Sequence, residues 1–303
     1  MAIKNEKQAL LFGLAAVLLW STVASAFKLT LEQFTPIQML FVASLVSIVV
    51  LACICAYQGN LNQVAATLKR RPLYYLTLGL INPFLYYLIL FQAYDLLPAS
   101  QAQPLNYSWA ITLTLMAAFF LKQKIRLQDA IACVLGYFGV LVIATQGDVL
   151  SLHFENPFGV ALALISTVLW ASYWILNAKN DENPIIVVLL GFLLSLPFSL
   201  AMVVYQGASW QDISWSGWLA VSYVGLFEMG VTFVLWLTAL QKTDHTSRIS
   251  NLIFLSPFIS LYLLNKIIGE EIHLSTLVGL CLILLGLAIQ QIKQKIQSKV
   301  KQA

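Results

Sequence analysis

Charge is what this chain has least of. Its 303 residues include 13 acids, 17 basic residues and three histidines, so only 10% are charged. A soluble domain of this length carries about 25% charged residues, so water is excluded as the solvent for most of the surface. The net charge of +4 sits at the ends of apolar runs and forms no single patch, which argues against nucleic-acid binding. The four cysteines, Cys53, Cys55, Cys133 and Cys281, fall inside apolar segments without zinc or disulfide-framework spacing and read as small buried hydrophobes. Histidine is equally uninformative: His153 and His273 lie in loops, and His245 opens a segment. There is no His-Glu-x-x-His and no Walker loop, so neither a metal nor any other cofactor is expected. Low-complexity stretches and room for a soluble catalytic module are absent too. An intramembrane enzyme would need a nucleophile–base pair or a metal cluster at membrane depth, and the sequence offers neither.

What is there is apolar sequence, 60% of the chain. It falls into ten long segments: 8–27, 36–57, 72–94, 99–121, 128–145, 157–178, 184–205, 217–240, 245–266 and 274–290. About 20 apolar residues at 1.5 Å each cross a hydrocarbon core of ~30 Å. Run length and the lack of strict alternation predict helices, not barrel strands. Lys4 and Lys7 precede the first run, and Ala24-Ser25-Ala26 looks like a signal-peptidase site. Because that run is long enough to span, a retained first helix is expected. The connections are short apart from polar stretches at 58–71, 146–156 and 206–216. The middle one is the natural join between two halves.

Those halves match residue by residue. Gly79 to Ala93 aligns with Gly225 to Ala239 at an offset of 146. Past one inserted residue the offset becomes 147, pairing Ala110 with Pro257, Lys124 with Glu271 and Gly139 with Gly286. Leu19-Trp20-Ser21-Thr22 is answered by Leu169-Trp170-Ala171-Ser172, and Tyr57-Gln58-Gly59 by Tyr205-Gln206-Gly207. Residues 8–145 and 157–290 therefore read as two five-helix repeats, followed by a basic tail at 291–303. An odd number of crossings turns the second repeat over, and inverted repeats of this kind mark secondary transporters.

Basic residues set the orientation. With the N-terminus inside, 15 of the 17 fall on the inner side, and only Lys28 and Lys266 fall outside. Lys69-Arg70-Arg71 corresponds to a loop in the second half whose one charge is Asp212. The expectation is an all-α protein of ten transmembrane helices with both termini cytoplasmic.

The residues resemble the drug/metabolite transporter superfamily in its ten-helix EamA-type form. The resemblance rests on Leu19-Trp20-Ser21-Thr22, on Ser256-Pro257 followed by Gly269-Glu270-Glu271, and on the run from Gly279 to Gly286. A narrower likeness, Asn106-Tyr107-Ser108-Trp109 running on to Lys122-Gln123-Lys124, is to the aromatic amino-acid exporter branch. Two positions depart from the pattern: Lys124 stands where the family often has Glu, and Ala110 where a Pro matching Pro257 is expected. The resemblance implies a multi-pass carrier of the inner (plasma) membrane, with a cavity lined by the first, third and fourth segments and by the sixth, eighth and ninth. Its partners would be the lipid bilayer and a small solute: an exported amino acid, aromatic ones among them, or a related metabolite. A carrier of drugs or other metabolites within the superfamily is the alternative.

Glu228 is the first candidate for chemistry, because no other acid lies well inside an apolar segment. A charge at mid-bilayer costs roughly 2.5–3.5 kcal/mol on insertion scales and so faces a bundle interior or a wet cavity. That makes Glu228 a candidate proton or coupling site; the alternative is an acid that only fixes helix packing. Its repeat partner Asn82 stands beside Pro83, whose missing N–H can free a carbonyl at membrane depth. Asn82 is thus a candidate for a polar solute, or a cap for the kink.

The fourth segment carries Gln101, Gln103, Asn106, Tyr107, Ser108 and Trp109, too polar a set for a lipid-facing helix. Asn106, Tyr107 and Trp109 are accordingly candidate binding residues. Trp20, Tyr86, Tyr87, Trp170, Tyr173, Trp174 and Trp236 could wall a cavity for a flat solute, although aromatics are also common packing residues in membrane helices. Trp20 and Trp109 stand above the rest because the resemblance includes them. Ser21 completes the candidates, although a helix hydroxyl often bonds back to its own carbonyls. His245 and Arg248 fit anchoring at the inner face, and the tail's lysines fit anionic headgroups.

Overall fold

The computed structural model describes residues 4–178, 180–244, 248–249 and 251–302, with side chains described as far as Gln290. The expectations for His245 and for the side chains of the tail lie outside the described residues. Among the described residues there is no strand. The helices are α1 (Glu6–Leu31), α2 (Pro36–Tyr57), α3 (Leu61–Arg70), α4 (Pro72–Leu96), α5 (Ala99–Tyr107) and α6 (Trp109–Phe120). They continue as α7 (Leu127–Ala144), α8 (Pro157–Asn177), α9 (Pro184–Gln206), α10 (Trp215–Lys242), α11 (Asn251–Ile268) and α12 (Leu274–Gln302). Among the described residues, eight of these are long and apolar enough to cross a membrane: α1, α2, α4 and α7 to α11.

The ends follow local chemistry. Pro36, Pro157 and Pro184 occupy first-turn positions, where a missing N–H is harmless. The preceding Thr35, Asn156 and Asn183 each accept a hydrogen bond from a first-turn amide. α2 and α9 both stop at a glycine in the left-handed region, Gly59 at φ 71° and Gly207 at φ 59°.

Three elements differ from the hydropathy reading. The stretch 58–71 contains α3, whose amphipathic ten residues are too short and too polar to register as a span. The fourth segment is two helices that meet at Ser108. Its hydroxyl bonds back to the Leu105 carbonyl at 2.7 Å, and its own carbonyl accepts from the Ile111 N–H at 3.0 Å. Such tightened turns interrupt the regular ladder. The ninth segment, expected from 245, contains α11 from Asn251, which opens with a tight 3-10 turn over Asn251–Leu255; residues 248–249 are helical as well.

The chain forms two compact units, Met1–Phe91 with Asn180–Glu270, and Gln92–Lys179 with Glu271–Ala303. In the first, α2 packs on α9 and on α10, and α1 packs on α10 and α11. Gly79 and Gly191 let α4 and α9 approach closely: a Cβ on Gly79 would lie 2.7 Å from the Gly191 carbonyl oxygen. In the second unit, α7 packs on α12, with Gly139 and Gly279 facing each other, and α6 packs on α8.

Candidate functional site

In the first unit the polar chemistry gathers where two spans are wound too wide. Leu80–Leu85 in α4 and Val224–Val231 in α10 are π-helical turns, a geometry frequent at functional sites. They hold Asn82 and Glu228, the pair related by the 146-residue offset. In α4 the cause is local. Pro83 has no N–H, and Asn82 leaves helical geometry at φ −143° and ψ 119°. The Oδ1 of Asn82 is buried with no hydrogen-bond partner. In α10 the turn is glycine-flanked, and α2 presses on it: Ser47 Oγ donates to the Gly225 carbonyl at 2.9 Å.

Glu228 is partly buried, and its Oε1 accepts a hydrogen bond from the Tyr87 hydroxyl at 3.2 Å. Tyr87 is held by ring contacts to Tyr86 at 4.8 Å and Phe91 at 5.4 Å, and Phe91 meets Phe27 edge-on at 4.9 Å. Nearby spans of the same unit bring together Trp20 of α1 and Trp236 of α10, at 5.5 Å between centroids. Ser21 is fully buried, donates to the Val17 carbonyl at 2.6 Å, and meets Ser256 Oγ of α11 at 3.3 Å. Its hydroxyl therefore joins two helices. A cleft of about 360 Å³ in this unit, lined by Gln58, Asp181, Glu182, Thr238 and Gln241 among others, includes none of these residues.

In the second unit an aromatic cluster forms between α6 and α8. Trp109 meets Trp170 edge-on at 6.2 Å, and Trp170 stacks on Tyr173 at 6.0 Å with 26° between planes. Trp174 closes on Trp170 at 6.1 Å. One turn before Trp109, Asn106 Nδ2 donates to Ser166 Oγ of α8 at 2.9 Å. The Thr112 hydroxyl lies 3.0 Å from both Tyr137 and Thr167 hydroxyls. Gln103, on buried α5, is 6% exposed, and its Oε1 has no partner. Tyr107 sits partly buried at the last turn of α5.

Thus the expected residues fall into two groups: Trp20, Ser21, Asn82, Tyr86, Glu228 and Trp236 in the first unit, and Asn106, Tyr107, Trp109, Trp170 and Tyr173 in the second. Tyr87, which the sequence marks only as a possible wall residue beside Tyr86, is the donor to Glu228. Ser166 was missed, although a serine within an apolar helix is a visible anomaly. Among the described residues, no three His, Cys, Asp or Glu side chains come together to hold a metal.

These features define a helical, multi-pass membrane protein with polar groups set within long apolar helices. The chain belongs to the EamA-like transporter family, whose model matches residues 7–145 and 157–290. It is similar to the aromatic amino acid exporter YddG of Ancylobacter novellus, 24% identical over 243 residues covering 79% of this chain and 82% of that protein. An uncharacterized transporter of Clostridium kluyveri is 22% identical over 303 residues, covering 97% of this chain and 96% of the relative. A solved crystal structure, 22% identical, superimposes with a TM-score of 0.69 over 97% of this chain and 99% of its own, and shares the fold.

Proposed function

We propose that this transporter is a secondary carrier that exports amino acids, aromatic ones foremost, across the inner membrane by alternating access. The observation that carries the substrate class is the cluster of Trp109, Trp170 and Tyr173 beside Asn106: flat π faces next to an amide. Aromatic walls select a flat side chain, and an amide can bond a carboxylate or ammonium group. The similarity to an exporter named for aromatic amino acids points the same way.

The architecture is ten spans as two inverted five-helix repeats, 8–145 and 157–290, with cytoplasmic termini. Three parallels support it: the paired π-helical turns around Asn82 and Glu228, the paired glycine stops of α2 and α9, and the 15-to-2 division of basic residues. Glu228 is the coupling group, exchanging a proton as substrate moves, with Tyr87 holding the carboxylate between exchanges.

The test is counterflow in sealed vesicles. Reconstituted protein is loaded with unlabelled Trp, Phe, Tyr, Thr or Met and challenged with the labelled form, with and without a pH gradient. Saturable counterflow of the aromatic set, with no covalent product, is expected. Folded protein that moves none of these amino acids would overturn the substrate assignment and leave the family membership standing.

A further inference from the structure

The helix α3 has no counterpart in the second half. The connection between α9 and α10 contains no helix and has Asp212 as its one charge, whereas α3 ends in Lys69 and Arg70 and is followed by Arg71. It is joined to a membrane-spanning helix at both ends, α2 three residues before it and α4 one residue after it. Those short links hold it at the level where the spans leave the membrane.

Its side chains are arranged for that level. At 100° per residue, Leu61, Val64, Ala65 and Leu68 form one apolar stripe. The face turned to the protein is displaced from that stripe: Thr67 is 2% exposed and Val64 and Leu68 are partly covered, while Leu61 is 48% exposed and Ala65 is exposed. The open edge of the stripe therefore runs along Leu61 and Ala65, with exposed Lys69 beside it. On the other side Arg70 is tethered to Glu182 at 2.7 Å, which fixes how far the helix can roll.

We propose that α3 is an interfacial helix that docks on the anionic phospholipid headgroups of the inner leaflet. Leu61 and Ala65 enter the acyl boundary, and Lys69 and Arg71 reach the phosphates. Apolar edge and basic flank are the two components of interfacial binding, and a lysine stem can lie along the apolar boundary while its ammonium reaches water. Charge complementarity selects the occupant: three consecutive basic residues with one of them paired to an acid. The leaflet assignment rests on the topology proposed above.

The experiment uses the full chain with Cys53, Cys55, Cys133 and Cys281 replaced by serine, an environment-sensitive fluorophore on Ala65→Cys, and vesicles of phosphatidylcholine alone or mixed with phosphatidylglycerol. Phosphatidylglycerol is expected to shield the probe from iodide and expose it to lipid-borne quenchers, and high salt reverses the shift. Each basic residue near an anionic surface contributes about fivefold. Lys69→Gln/Arg71→Gln should therefore weaken the docking about 25-fold, the product of two such factors, and lose most of the shielding at the same phosphatidylglycerol content. A probe on Gln63→Cys, which is exposed and lies about 160° around the helix from Ala65, stays open to iodide throughout. Equal iodide access at Ala65→Cys in both vesicles, or shielding indifferent to the double substitution, overturns the proposal. A membrane-impermeant maleimide added outside right-side-out vesicles tests the leaflet separately. Its reaction with Ala65→Cys would reject the inner-face topology while the shielding result still reports lipid docking.

Discussion

The Tyr87 hydroxyl donates to the Glu228 carboxylate across 3.2 Å, joining a π-helical turn of α10 to the helix that follows the π-helical turn of α4. The acid thus has a neutral donor as its partner and no basic one, among the described side chains that contact it. A permanently paired carboxylate would be locked in its charged form; one held by a phenol can exchange its proton.

Glu228→Gln keeps the size and the hydrogen bond to Tyr87 and removes the exchangeable proton. It should abolish accumulation driven by a pH gradient while leaving substrate counterflow, which needs no net proton movement. Tyr87→Phe should retain gradient-driven transport with its pH dependence displaced. Both are read from labelled uptake across imposed gradients. Undiminished, pH-dependent accumulation by Glu228→Gln would remove Glu228 from the coupling step.

Trp170 is the ring that joins its cluster, touching Trp109, Tyr173 and Trp174. An aromatic pair contributes about 0.5–1.5 kcal/mol beyond the area it buries, and 1.4 kcal/mol is about tenfold in affinity. Trp170→Ala should therefore raise the half-saturation of Trp and Phe counterflow about tenfold, with a smaller change for Thr. Equal losses for aromatic and aliphatic solutes would mean that the cluster packs helices and does not recognise a ring.

The glycine contact between α4 and α9 is lopsided. A Cβ on Gly79 would meet the Gly191 carbonyl oxygen at 2.7 Å, whereas one on Gly191 finds its nearest neighbours, Asn82 O and Pro83 Cδ, at 3.5 Å. Gly79→Ala should destabilise the protein by about 1–3 kcal/mol, as overpacking does. Gly191→Ala should be neutral or stabilising, because Ala in a helix is favoured over Gly by roughly 0.5–1 kcal/mol. Thermal unfolding of the purified protein in detergent separates the two. Equal melting losses would show that the contact is not set by this close approach.

The division between what the sequence foretells and what it does not follows the physics of each element. A run such as 36–57 is legible because apolar length alone defines it and Pro36 marks its start; the helix found is Pro36–Tyr57. α3 is invisible to the same criterion, since its helicity depends on docking a ten-residue amphipathic face. The wide turn at Leu80–Leu85 is half legible, because Pro83 announces a disturbance. The equivalent turn at Val224–Val231 has no proline and depends on packing against α2. Residue types for the site were readable because polar groups are conspicuous in an apolar sequence. Partners such as Ser166 for Asn106 were not, since 60 residues of chain separate them and only packing brings them together.

Asn82 offers a test in which stability and function should move in opposite directions. Its Oδ1 is buried without a donor, next to a proline that cannot supply one. Burying an unsatisfied polar atom costs about 1–3 kcal/mol, and replacing it with an apolar group of similar shape can be neutral or stabilising. If the amide exists to bind substrate, Asn82→Leu should melt at the same temperature as the wild type or higher. Its counterflow should need substantially more substrate to saturate, because an N–H of the substrate is then left without its acceptor. If the amide exists only to cap the kink at Pro83, the order reverses: Asn82→Leu loses melting temperature and keeps its half-saturation. Measuring both quantities on one preparation therefore decides between a binding residue and a structural one, whichever direction the activity takes.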